Sequence, residues 1–179
     1  MGAMKRWLIP IGAVLLLVSG VAISQVRPGT DAEQTRFSFG DAIVQKPVAI
    51  PEEILPVLGQ DEFVRGLMGF AELPADQVQA SWFSASAIHL SGPNERERDE
   101  SDLIVVGHDS YYETKAVLFW VFCRTAQGYE LALKTPARDF QVKDAMWQGH
   151  REIETTLEED GKVTSTLYRW DGKHYTRVQ

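Results

Sequence analysis

Val117-Leu118-Phe119-Trp120-Val121-Phe122-Cys123 offers no polar side chain at any position. Successive residues of a strand point to opposite faces, so a strand of this composition is apolar on both, the pattern of one buried between layers. The period of two continues outward from it. Residues 82–90 read as a strand and 103–106 as a short apolar run. Residues 129–134 alternate, with Tyr129, Leu131 and Leu133 on one face and Glu130 and Lys134 on the other. Phe140 with Val142, Ile153 with Leu157, and Val163 with Leu167 extend the series. Turn residues at 125–128, 159–162 and Asp171-Gly172 separate them, so an antiparallel meander of about seven or eight strands is expected.

Upstream, the pattern is that of short helices. Pro51 suits a first helical position, and Glu52 and Glu53 put negative charge where the helix dipole favours it. Pro56 forbids a long helix. Asp61 is a natural N-cap for residues 62–68, where Phe63, Val64, Leu67 and Met68 make one apolar side and Gly69 ends the run. Residues 73–78 read as one more helical turn. The expected fold is α+β: a curved antiparallel sheet meander with short N-terminal helices packed on one face, in a single domain over residues 50–179.

The N-terminus has the order of a secretory signal. Lys5 and Arg6 precede an apolar core at 7–18, then Ser19-Gly20 and the small residues Ala22 and Ser24 ahead of Gln25. The core is about a dozen residues, within the roughly 7–15 of a signal and short of the roughly 20 of a membrane span. Residues 1–24 are thus expected to be a signal peptide, with an uncleaved N-terminal anchor as the alternative. Either address is periplasmic or extracellular. Residues 25–49 read as an extended leader, mobile over 25–37 and a strap over the domain at 38–49.

Eighteen basic against 25 acidic residues give a formal charge of −7 and argue against a nucleic-acid surface. The single cysteine cannot close an intramolecular disulfide. Cys123, in the most apolar stretch, reads as a small buried hydrophobe. The run Asn94-Glu95-Arg96-Glu97-Arg98-Asp99-Glu100-Ser101-Asp102 has arginines where a calcium loop needs oxygens, so it reads as a solvated hairpin loop. His108-Asp109-Ser110 holds the residue types of a hydrolase triad, but neighbours on a strand point apart. His89, His108, His150 and His174 lack metal-ligand spacing. Without a phosphate-cradling glycine loop or dinucleotide fingerprint, neither cofactor nor metal is expected.

Toward the C-terminus, Gly149-His150-Arg151-Glu152-Ile153 and Tyr168-Arg169-Trp170-Asp171-Gly172-Lys173-His174-Tyr175 follow one another. The pair resembles the tail of a loose class of small exported bacterial proteins, G-x-R-D-I followed by Y-R-F-D-G-K-x-Y, departing from it at Glu152 and Trp170. The resemblance covers about the last third of the chain and implies an exported β-rich domain without an assigned activity.

The function expected is that of an exported, non-catalytic binding protein (an inhibitor, accessory subunit or envelope factor) with a macromolecular partner, a protein. A type I′ turn at Asp171-Gly172 would pair Trp170 with Lys173 and put Tyr168, Trp170, Lys173, Tyr175 and Arg177 on one face, the expected contact surface. Two alternatives stand beside it. One is a small secreted hydrolase assembled in the fold from His89, His108 and Asp109. The other is small-ligand binding between the sheet and its helical cap. Mass spectrometry of exported protein should find Gln25 or a near neighbour at the new N-terminus; a full-length species retained in salt-washed membranes would show the anchor instead.

Overall fold

The run at 117–123 is covered on both faces. The computed structural model describes residues 33–40, 43–74, 77–92, 101–107 and 116–178, which fall in a compact unit spanning Glu33–Gln179. The signal segment, residues 25–32 of the leader, the charge run up to Glu100 and His108-Asp109-Ser110 lie outside the described residues.

The strands are β1 (Arg36–Ser38), β2 (Phe83–Ile88), β3 (Asp102–Gly107), β4 (Val117–Thr125), β5 (Gly128–Ala137), β6 (Asp139–Trp147), β7 (His150–Glu159), β8 (Lys162–Trp170) and β9 (Tyr175–Arg177). They form two antiparallel sheets, one ordered β2-β3-β4-β5 and the other β1-β6-β7-β8-β9. Inside the four-stranded sheet, β4 alternates between two cores. Val117, Phe119, Val121 and Cys123 meet Phe37, Phe140, Val142 and Ile153 of the five-stranded sheet. Leu118, Trp120 and Phe122 meet Ile54, Leu58, Val64 and Met68 of the helical segment. Helices, four-stranded sheet and five-stranded sheet therefore form three layers.

The expected single meander, with helices on one face of an α+β sheet, is corrected by this arrangement. The described residues are mostly β, with two sheets and, among those residues, only two short α-helices, α1 (Leu55–Gln60) and α2 (Glu62–Phe70). The chain leaves one sheet for the other across a single residue. Arg138 donates its amide to the Thr156 carbonyl at 2.7 Å and accepts the Phe39 amide on its own carbonyl at 2.8 Å, so it already belongs to the second sheet. No glycine marks this corner; Pro136 just before it and the shift of the apolar residues from odd positions (Leu131, Leu133) to even ones (Phe140, Val142) are its sequence signals. Physically, seven apolar residues on two faces need two covers, and one meander with a one-sided cap supplies only one.

Two local expectations change as well. Val121 pairs with Leu133 but Phe122 with Leu131, leaving Ala132 as an extra residue in β5. That bulge reverses the alternation. Tyr129 and Leu131 face the helices, whereas Leu133 faces the other sheet. Residues 73–74 and 77–79 are not helical, and a 3-10 turn forms instead at Ala80–Trp82.

The leader enters the fold earlier than its reading as mobile to residue 37 implies. Phe37 is fully buried on β1. Its ring meets Phe119 and Phe140 edge-on at 6.3 and 6.1 Å between centroids, while Phe119 and Phe140 stack at 4.8 Å. These three rings come from β1, β4 and β6 and tie the sheets together. Phe37→Ala should destabilise by about 3–5 kcal/mol, the range for deleting a large buried aromatic. Val163→Ala, at a position 61% exposed, should stay within about 0.5 kcal/mol; urea unfolding of both variants measures the difference.

Candidate functional site

The C-terminal hairpin forms, but in another register from the expected one. Trp170 pairs with Tyr175, Arg169 with Thr176 and Tyr168 with Arg177. The Asp171 carboxylate accepts the amides of Lys173 and His174 at 2.9 and 2.8 Å, so four residues rather than two make the loop. Those two amides, His174 first, hold the Asp171 carboxyl below its ordinary value. Lys173 therefore leaves the expected face for the loop. Tyr168, Trp170 and Tyr175 turn toward the other sheet: Tyr175 is buried, Tyr168 and Trp170 are half-buried against the core, and Arg177 is exposed. Trp170 stacks on His150 at 4.3 Å and meets Tyr175 edge-on at 5.4 Å. Most of the expected contact surface is thus packing within the sandwich.

Beneath Tyr175 lies a polar network that the sequence reading missed. Opposite the single residue Glu152, β6 carries three, Lys143, Asp144 and Ala145. The irregularity frees the Lys143 carbonyl to accept Arg151 Nε at 2.8 Å. Arg151, only 3% exposed, also reaches Glu33 at 2.9 Å and Asp144 at 3.1 Å. Glu33 in turn accepts the His89 amide, and its Oε1 lies 3.3 Å from His89 Nδ1. The Tyr175 hydroxyl donates to the Arg151 carbonyl at 2.9 Å. Nearby, buried Asp102 accepts the amides of Leu90 and Arg124, both at 2.8 Å. With Glu33 engaged by Arg151, this network is an electrostatic clamp on strand ends. Of the hydrolase candidates, His89 sits at its half-exposed edge, while His108 and Asp109 lie outside the described residues. Among the described residues no three His, Cys, Asp or Glu side chains converge as metal ligands.

Burial pushes the Cys123 thiol far above its ordinary value, with the charges of Asp102 and Glu130 adding to the effect. Such a thiol is a poor nucleophile.

A second feature occupies the outer face of the four-stranded sheet. Phe63, Val64, Leu67 and Met68 of α2 face Trp82, Phe83 and Trp120 across an apolar cleft of about 170 Å³. Phe83 meets Trp120 edge-on at 5.7 Å. Asp61 fixes the helix above the sheet. Its Oδ1 caps α2 through the amides of Phe63 and Val64. Its Oδ2 accepts the Trp120 indole N–H at 3.2 Å and pairs with the Lys134 ammonium at 2.6 Å. Burial alone would raise the Asp61 carboxyl, but Lys134, Trp120 and the Phe63 amide together hold it below its ordinary value. The helical spacing of Phe63, Val64, Leu67 and Met68 is the sequence signal for this wall; the opposite wall, from residues 82, 83 and 120, had none.

Fold and geometry define a three-layered, mostly β protein with an apolar cleft under a capped helix. Comparison of the chain with protein families, curated proteins and solved structures finds no match. Among the described residues, no helix is long and apolar enough to cross a membrane.

The buried Asp102 makes a pH prediction. Burial pushes its carboxyl above the ordinary value, outweighing the Arg124 and Leu90 amides that pull it down. A carboxyl raised in the folded state favours folding when protonated. Its contribution is therefore fully present below the unfolded-state value and is lost as pH rises through the folded one. Carboxyl-carbon NMR should show Asp102 titrating above Asp171 in the same molecule, and Asp102→Asn should remove that slope from the stability curve.

Proposed function

We propose that the chain is an exported, non-catalytic binding protein, and that the cleft between α2 and the sheet receives one large apolar side chain of a protein partner. The cleft carries this reading. At about 170 Å³ it falls below the roughly 300–1,000 Å³ usual for small-molecule pockets. Anchor side chains at interfaces fill desolvated pockets of this kind. Leu73, more than one-third exposed, lies along its margin and extends the apolar surface outward. The net charge of −7 favours approach of a basic partner. The exported address rests on the sequence pattern of residues 1–24.

The test uses short lysine-flanked peptides that differ only in a central Gly, Leu, Phe or Trp, with the indole N–H resonances of Trp82 and Trp120 followed by NMR. Leu, Phe and Trp peptides should shift both signals saturably and the Gly peptide should not. Leu67→Lys, which puts a charge into the cleft, should weaken binding by about tenfold or more. Equal binding of the Gly peptide would contradict the anchor. Binding of a short-chain fatty acid in place of every peptide would favour a small apolar ligand at the same site.

A further inference from the structure

The inner face of the β7–β8 hairpin carries hydroxyls where a packed core would carry apolar side chains. On β8, Tyr168 and Trp170 pack against the core between the sheets, but Thr166 and Thr164 continue the same face toward the turn. Across from them, Thr155 of β7 and Thr135 of β5 point into the same space. Together with Arg177 these groups surround a groove of about 290 Å³. Glu159, Leu157 and Pro136 complete its walls.

The groove has one fixed edge. The Thr135 hydroxyl lies 3.0 Å from the Tyr168 hydroxyl, a contact that joins the two sheets, and 3.2 Å from the neighbouring Pro136 carbonyl. Arg177 reaches over Thr166 at 3.3 Å. Thr155 differs from both. It is 4% exposed, yet its hydroxyl has no hydrogen-bond partner among the described residues. A buried hydroxyl without a partner forfeits the hydration it has in the unfolded chain. A ligand that supplies the missing partner would account for it.

We infer that this groove binds a neutral, hydroxyl-rich small molecule, a short saccharide. Threonine and tyrosine hydroxyls both donate and accept, so they match ligand hydroxyls in either sense. One guanidinium and one carboxylate on the walls balance in charge. An anion would meet Glu159 and a cation would meet Arg177. The rings and chains of Tyr168, Leu157 and Pro136 provide apolar surface for the carbon face of a sugar. The volume is at the small end of ligand pockets, which restricts the ligand to a few rings. This site is separate from the cleft under α2 and stands or falls independently of it.

The experiment titrates glucose, N-acetylglucosamine and maltose into the protein while the methyl resonances of Thr135, Thr155 and Thr166 are followed by NMR. At least one sugar should shift them saturably. Thr155→Val preserves shape and removes only the hydroxyl. It should weaken that sugar by about fivefold or more, and Thr155→Ser should restore most of the loss. In the free protein Thr155→Val should also raise the melting temperature, because the unpaired hydroxyl is gone. Three results would overturn the inference: no sugar shifts these methyls, Thr155→Val binds as tightly as the parent, or the variant melts lower, meaning that the hydroxyl already has a partner. Tighter binding of acetate or inorganic phosphate at the same methyls would overturn it in favour of an anion site.

Discussion

A strand with no polar face cannot be left with an open one. Residues 117–123 of β4 bury side chains alternately against a second sheet and against helices, and the remaining organisation follows from that demand. Each fully buried large apolar side chain gains roughly 1.5–3 kcal/mol, so neither cover is dispensable. The second sheet requires the chain to turn over at Arg138. Reaching it from the N-terminal side brings β1 in beside β6, where Phe37 completes the aromatic contact between the sheets. The helical cover requires α1 and α2 to lie flat on the outer face, which Asp61 secures by holding a helix start, an indole and an ammonium with one carboxylate.

Much of the strand content was legible because alternation and turn residues are local signals. The two-faced burial at residues 117–123 and the cap at Asp61 were equally plain. The separation into two sheets was not, since the corner at Arg138 is marked only by Pro136 and a shift in the phase of the alternation, signals that a bulge or an edge strand gives equally. The bulge at Ala132 escaped for a related reason: it appears only when β5 is laid against β4. At the C-terminus the Asp171-Gly172 signal was real but incomplete. The carboxylate of Asp171 organises a longer loop, and the resulting pairing draws Tyr175 into the core. Half of the cleft was visible as the apolar side of α2. The clamp around Arg151 was not, because Glu33, His89, Asp144 and Arg151 are distant in sequence and no periodicity links them.

The charged groups divide between two tasks. Asp61 and Asp102 both tie backbone amides at element ends, but their environments push them in opposite directions. Asp61 has a lysine and an indole to hold its charge, whereas Asp102 is buried with amides as its hydrogen-bond donors. Acidification therefore loosens the helical cover through Asp61 while relieving the cost of burying Asp102. Arg151 meets the same burial problem by gathering two carboxylates and two carbonyls. Breaking such a buried pair from one side costs about 3–5 kcal/mol, so these contacts tie the segment at Glu33 and the end of β2 to the start of β7 and the irregular stretch of β6.

The central claim is that both faces of β4 are core, and two phenylalanines of that strand test it directly. Phe119 faces the second sheet and Phe122 the helices, and both are fully buried. Equilibrium denaturation of Phe119→Ala and Phe122→Ala compares the same deletion on opposite faces. The three-layer account predicts that each loses about 3–5 kcal/mol. If either variant stays within about 1 kcal/mol of the parent, that face is not a packed layer and the account is wrong.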